Sequence, residues 1–148
     1  HEMAHFAHWG IVGASTYNNA SGKLQDSWCR LAQWTFANKR YKNLYGLTNF
    51  EHHNGWQFLN VGYQPYSDHL HDGYTPVFID LVDTYNQYVE KGNNAYYAID
   101  PISGFTAKEV EDALPDCQSL NDMKAKLDQL NKTSSTDLNN LFSYYNNI

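Results

Sequence analysis

The order of apolar and polar residues along the chain predicts a mainly helical protein. Residues 1–9 are typical of a helix that ends at Gly10, and residues 10–22 predict a loop because they are rich in Gly, Ser and Asn. Apolar side chains occupy most of the circumference of a helix predicted over residues 23–40. We therefore expect this helix to be buried on several sides.

The middle of the chain carries a long aromatic segment and then a helix. Glycines and a proline interrupt a run of aromatic residues and histidines over residues 46–75. A long loop of this kind in a compact domain is often functional. Thr75, Pro76 and Gly92 carry the start and stop signals of a helix over residues 76–91.

Three short helices are predicted within residues 104–146, and a short strand within residues 94–102. Each helix is predicted from its N-cap. In chain order the caps are Thr106 with Glu109 as a capping box, Ser119 for residues 120–130, and Thr136 for residues 137–145. Together these elements predict one mainly α domain over residues 1–148, with little or no sheet.

The composition narrows the classes of partner. The 148 residues are 42% hydrophobic and 16% aromatic, which is enough for a single core. The net charge of −6 is not accompanied by a basic cluster, so neither nucleic acid nor an anionic membrane is an expected partner. No apolar run approaches the ~20 residues of a membrane-spanning helix. Cys29 and Cys117 are too few for a disulfide scaffold, and we expect two buried free thiols rather than one long-range disulfide.

The first five residues, His1-Glu2-Met3-Ala4-His5, form an H-E-x-x-H motif. On a helix, positions i and i+4 share a face, so His1 and His5 can bind one Zn²⁺ ion. Glu2 projects beside that ion, where its carboxylate can take a proton from the attacking water and pass it to the leaving amine. The motif predicts a zinc site with His1 and His5 as ligands and Glu2 as general base.

A catalytic zinc needs a third protein ligand, and Asp26 is the best candidate. It lies at the start of the second long helix, which the intervening loop can bring antiparallel to the first. Trp28 is then expected to shield the site from bulk water. Asp26 also has a structural alternative, an ion pair with Arg30 at i+4. His8 shares the face of His5, but three ligands from one straight helix reach a tetrahedral ion poorly, so His8 is expected to line the cleft.

Further candidates lie in the aromatic segment. Glu51 remains an alternative third ligand, and Tyr74 or a nearby histidine is a candidate to steady a tetrahedral intermediate by a hydrogen bond. Taken singly, the acidic residues and histidines of this segment are expected to be solvated. They are Glu51, His52, His53, Asp68, His69, His71 and Asp72.

HEMAH followed by D-S-W-C-R-L-A-Q-W resembles the gluzincin zinc metallopeptidases, in which a carboxylate ligand on the next helix follows H-E-x-x-H. More narrowly, HEMAHFAHW, DSWxxxxxW and GYTPVFIDLVDTYNQ resemble secreted or lipid-anchored bacterial zinc metallopeptidases. The resemblance implies His1, His5 and Asp26 as ligands and Glu2 as base. Asp26 stands where gluzincins have Glu.

The resemblance also implies a larger protein, a class of substrate and a location. These peptidases carry an N-terminal lobe before the motif, so a chain that begins at the motif is expected to be the helical metal-bearing lobe of a larger protein. A peptide or protein is the implied substrate. The implied location is secreted or at the cell surface or periplasmic, and a lipid anchor in the full-length protein is one of the alternatives.

Two other classes of function stay open. A degenerate peptidase would serve as a non-catalytic surface module whose aromatic loop binds peptide or glycan. Alternatively, His1 as a mature N-terminus could bind copper, as in the lytic polysaccharide monooxygenases. Those enzymes are β-sandwiches, however, whereas this chain is predicted to be helical.

Overall fold

The computed structural model describes residues 2–46, 75–90, 92–93 and 97–148. Eight helices and no strand occur in those ranges, which confirms the prediction of a mainly α fold. The aromatic segment predicted as a loop lies almost wholly outside them. The helices are α1 Glu2–Val12, α2 Ala14–Asn19, α3 Gly22–Tyr45, α4 Val77–Val82, α5 Gln87–Glu90, α6 Ala107–Ala113, α7 Leu120–Asp128 and α8 Ser135–Asn146.

The first helix is longer than predicted, and the predicted loop after it contains another helix. α1 continues through Gly10 to Val12. A helical glycine costs about 1 kcal/mol relative to alanine, and the packing of Val12 against the core offsets that cost. The break comes instead at Gly13, whose φ of 79° is readily adopted only by glycine. α2 follows at once, so the prediction of a loop over residues 10–22 is wrong for most of its length.

α3 begins close to where the sequence predicts and ends later. Ser21 caps it, its side chain accepting a hydrogen bond from the Leu24 N–H. The helix passes the predicted end at residue 40 because no helix breaker follows until Gly46. Gly46 adopts a left-handed φ of 69° and closes the last turn.

The single helix predicted over residues 76–91 is wrong, because the structure divides it into α4 and α5. The backbone becomes extended at Asp83, just after α4. The Phe105 N–H donates a hydrogen bond of 3.1 Å to the Leu81 carbonyl. That carbonyl would otherwise accept the helical hydrogen bond from Tyr85, so a tertiary contact takes the place of a helical one. α4 is capped by Pro76, one residue after the predicted cap.

The C-terminal helices follow their sequence signals closely. Both the Thr106–Glu109 capping box and the Ser119 cap are confirmed. The cap predicted at Thr136 is wrong, since Ser134 accepts the hydrogen bond from the Asp137 N–H instead. Residues 97–102 form no strand, and the rest of the predicted strand, residues 94–96, lies outside the described ranges.

α3 is the central element of the described core. It contacts α1 on one side and α4 and α6 on others, while α7 packs between α6 and α8. Cys29 and Cys117 are both buried and free, as predicted. Among the helices described, none has both the length and the hydrophobicity needed to cross a membrane.

Candidate metal site

The packing of α1 against α3 brings His5 and Asp26 together. The distance from His5 Nε2 to Asp26 Oδ1 is 3.1 Å, and the two side chains are 21% and 19% exposed. The short α2 turns the chain between the two helices, so residues far apart in sequence meet at one end of the α1–α3 pair. Two of the residues predicted as zinc ligands therefore face each other, and His1 lies outside the described residues.

The spacing of these two ligand atoms suits zinc. Imidazole nitrogen and carboxylate oxygen both bind zinc at about 2.0–2.2 Å, which sets two tetrahedral ligands about 3.3 Å apart. The observed 3.1 Å is close to that value. Among the described residues, no third His, Cys, Asp or Glu joins His5 and Asp26 in a three-ligand group. A complete site on this pair therefore needs a ligand from elsewhere in the chain, and His1 is the predicted one.

Asp26 is held by His5 more than by Arg30. Partial burial raises the pKa of the Asp26 carboxyl, and His5, through charge and a hydrogen bond, acts most strongly in the opposite direction. Arg30 lowers the same pKa by a smaller amount. In its effect on the pKa of Asp26, His5 therefore outweighs Arg30, the partner in the structural alternative.

Glu2 lies in the first turn of α1, and its residue is exposed. Its negative charge contributes to raising the pKa of Asp26 and that of Tyr17, so its carboxylate acts electrostatically on the same site. An exposed carboxylate beside a ligand pair can reach water and substrate, which a general base requires.

His8 is not placed as a ligand. It is fully buried, and neither of its ring nitrogens has a hydrogen-bond partner. Its ring meets Tyr17 edge to face at 5.2 Å and lies 6.5 Å from the ring of Trp28. Burial and, less strongly, the charge of His5 lower the pKa of His8 to about 4. His8 is therefore a neutral packing residue between α1, α2 and α3.

Trp28 and Cys29 form the buried wall behind the site. Trp28 is 5% exposed and contacts the ring of His8. It therefore shields the site from bulk water through the His8 ring. Burial, followed by the charge of Asp26, raises the pKa of the Cys29 thiol to about 12. Cys29 is thus a protonated, inert thiol at neutral pH.

Tyr17 is the site residue that sequence reasoning missed. Its hydroxyl lies 3.0 Å from His5 Nδ1, the ring nitrogen that faces away from Asp26. Burial, followed by the charges of Cys29, Asp26 and Glu2, raises the pKa of this phenol. The sequence predicts a loop at Tyr17, and only a helical period over residues 14–19 would have indicated that its side chain faces α1.

A second cluster, also missed, consists of three buried carboxylates away from the motif. Asp80, Asp83 and Asp100 each place an oxygen within 4.8 Å of the others. Tyr145 donates a hydrogen bond of 2.6 Å to Asp80, and the Ile102 N–H donates one of 3.1 Å to Asp100. Burial raises the pKa of Asp100 to about 8. Burial and the neighbouring Asp83 thus favour the protonated form of Asp100, which lessens the repulsion within the cluster.

The remaining candidates in the aromatic segment lie outside the described residues. They are Glu51, His52, His53, Asp68, His69, His71, Asp72 and Tyr74.

Comparison of the chain with protein-family models, with curated proteins and with solved structures finds no match.

Proposed function

We propose that the protein is a zinc-dependent peptidase, or its metal-bearing lobe, with Glu2 as the general base. The observation that carries the proposal is the 3.1 Å approach of His5 Nε2 and Asp26 Oδ1 across two helices. It supports the ligand pair that H-E-x-x-H and the next helix predict. The resemblance to secreted bacterial metallopeptidases extends the proposal to a peptide or protein substrate outside the cytoplasm.

The zinc would be held by His1, His5 and Asp26. When bound, it supplies Lewis acidity that polarises the substrate carbonyl and lowers the pKa of a water molecule. His5 comes from α1 and Asp26 from α3, so the core behind α3 fixes the separation of these two ligands. The partial burial of His5 and Asp26 strengthens the electrostatic interactions between them.

Glu2 would move the protons. Its exposed carboxylate accepts a proton from the water as that water attacks the peptide carbonyl. The same proton then passes to the amine that leaves as the C–N bond breaks. The products are a carboxylic acid and an amine, and Glu2 returns to its ionised form.

The test is a pair of variants assayed on the full-length protein. Glu2→Gln keeps size and hydrogen bonding but cannot accept the proton, so peptide hydrolysis should fall by about 10²–10⁴-fold while zinc stoichiometry stays unchanged. His5→Ala should remove the zinc itself. Glu111→Gln on α6 is the matched control and should change neither quantity. Activity of Glu2→Gln within a few-fold of wild type would reject the role of Glu2, and zinc retained by His5→Ala would place the metal elsewhere.

A non-catalytic binding module is the second candidate, and one observation favours it. Phe6 and Trp9 are 73% and 44% exposed and stack on each other at 5.9 Å, which suits binding of a peptide or glycan. In that case Glu2→Gln would leave ligand binding intact and no hydrolysis would be seen in the wild type. The copper alternative depends on His1, and the helical fold differs from the β-sandwich that it implied.

A further inference from the structure

Tyr17 is tied to both halves of the candidate site. Its hydroxyl lies 3.0 Å from His5 Nδ1 on α1. Its backbone carbonyl accepts a hydrogen bond of 2.8 Å from the Gln25 side chain on α3. Gln25 directly precedes Asp26 in sequence, so the contact that holds Tyr17 also acts beside the carboxylate that faces His5.

The ring of Tyr17 limits how the two histidines of α1 can turn. It meets His5 at 6.4 Å with an interplanar angle of 81° and His8 at 5.2 Å with an angle of 87°. Rotation of His5 about its side-chain bonds would break both the edge-on contact and the hydrogen bond between Nδ1 and the phenol. The orientation of His5 is thereby fixed from α2, an element that carries none of the predicted ligands.

The two nitrogens of His5 have different partners, and this decides which one can bind a metal. Nε2 faces Asp26, whereas Nδ1 faces Tyr17. A histidine that binds zinc through Nε2 carries its proton on Nδ1, and that N–H needs an acceptor. A phenol oxygen can accept as well as donate, so Tyr17 suits either state of the ring.

We propose that Tyr17 is a positioning residue that orients His5 for metal binding through Nε2. In the metal-free protein the Tyr17 hydroxyl donates to Nδ1, and Nε2–H donates to Asp26. With zinc bound, the proton of His5 resides on Nδ1 and is donated to the Tyr17 oxygen. The proposal rests on the proposed function, because it takes zinc as the ion that Nε2 meets.

The first experiment measures zinc affinity rather than hydrolysis. The dissociation constant of Zn²⁺ is determined on the full-length protein by competition with a chelating dye, for the wild type, Tyr17→Phe and Tyr45→Phe. Tyr17→Phe keeps the ring and loses only the hydroxyl, so zinc should bind about 10–100-fold more weakly. Tyr45→Phe is the matched control, since Tyr45 is 59% exposed and about 28 Å along α3 from Asp26. Equal zinc affinity in the wild type and in Tyr17→Phe would overturn the proposal and leave the proposed function standing.

A second experiment needs no metal and separates the two claims. Long-range ¹H–¹⁵N spectra report the hydrogen bonding of each His5 ring nitrogen in the metal-free chain. In Tyr17→Phe the Nδ1 resonance should move toward that of an imidazole nitrogen without a donor, while the Nε2 resonance stays near its wild-type position. An Nδ1 resonance that does not move would overturn the role of Tyr17. A full-length wild-type protein that binds no zinc but shows the Nδ1 change would sink the zinc peptidase while supporting the positioning of His5 by Tyr17.

Discussion

Residues 2–46 and residues 97–148 are both helical, yet they distribute polar and apolar side chains differently. In the C-terminal region every helix has a hydroxyl N-cap, and leucines such as Leu127 and Leu141 are fully buried. In the N-terminal region Met3 and Phe6 are 86% and 73% exposed while His8 is fully buried. A sequence that follows every local rule specifies a fold, and departures from those rules concentrate at functional or strained sites. The C-terminal helices follow the local rules, whereas the departures in α1 lie around the residues of the candidate site.

The largest expected effect is on the free energy of unfolding, and it is tested by comparing two phenylalanines, one from each region. Phe142 is 1% exposed and packs against Phe78 with ring centroids 6.4 Å apart. Phe142→Ala should lower the free energy of unfolding by about 3–5 kcal/mol, because it removes buried apolar surface and leaves a cavity. The exposed Phe6 is the matched control, and Phe6→Ala should cost less than about 1 kcal/mol. Urea denaturation followed by circular dichroism measures both, and similar losses would erase the contrast between the regions.

An intermediate effect concerns His8, the buried polar residue of the N-terminal region. Burial lowers its pKa to about 4 in the folded protein, below the usual 6.5, so the unfolded chain binds the proton more readily. The folded state should therefore lose stability as the pH falls from about 6.5 to about 4. His8→Leu should remove this acid dependence and raise the free energy of unfolding by about 1–3 kcal/mol, since the two unpaired ring nitrogens disappear.

The control for His8 separates titration from burial of a polar group. His8→Gln cannot titrate but still carries polar atoms, so it should lose the acid dependence without gaining stability. Denaturation of the metal-free protein at several pH values gives both quantities. An acid dependence in His8→Leu as steep as in the wild type would mean that another group causes it.

The smallest expected effect tests the caps of the C-terminal region. Thr106 caps α6 in a reciprocal capping box with Glu109, so Thr106→Ala should lower the free energy of unfolding by about 1 kcal/mol. Thr136 has the same side chain but lies inside α8, where Ser134 is the cap. Thr136→Ala should therefore be neutral or slightly stabilising, because alanine favours helix interiors. The opposite ranking in thermal denaturation would contradict the cap assignments.

Sequence reasoning succeeded where local signals decide the structure and failed where tertiary contacts do. The caps at Thr106 and Ser119 involve residues three positions apart, which a pattern can show. The division between α4 and α5 depends on a hydrogen bond from Phe105, a residue that no local pattern connects to Leu81. The wrong prediction of an N-cap at Thr136 has a different cause. Ser134 and Thr136 both carry a hydroxyl group, so the sequence pattern does not show which of them caps the helix.

The candidate site likewise contains some residues that the spacing in the sequence predicts and others that only the packing reveals. H-E-x-x-H and the next carboxylate could be found from spacing alone, and the structure places His5 beside Asp26. Tyr17 could not be found, because its importance comes from a short helix that begins only where Gly13 turns the backbone. His8 shares a helical face with His5 in the sequence pattern, and only packing reveals that its nitrogens are enclosed.

The burial of α3 in the core also limits which acidic residue fits at position 26. Leu24 and Trp28, on either side of Asp26, are 0% and 5% exposed, so the backbone between them cannot slide without disrupting the core. The distance between α1 and α3 at this position is therefore fixed, and the side chain of residue 26 must match that distance in length. Asp26 already reaches to 3.1 Å from His5. A glutamate would add one carbon–carbon bond, about 1.5 Å, and would need a different rotamer to meet His5 at the same distance. The short side chain of Asp26 therefore matches the close approach of these two helices.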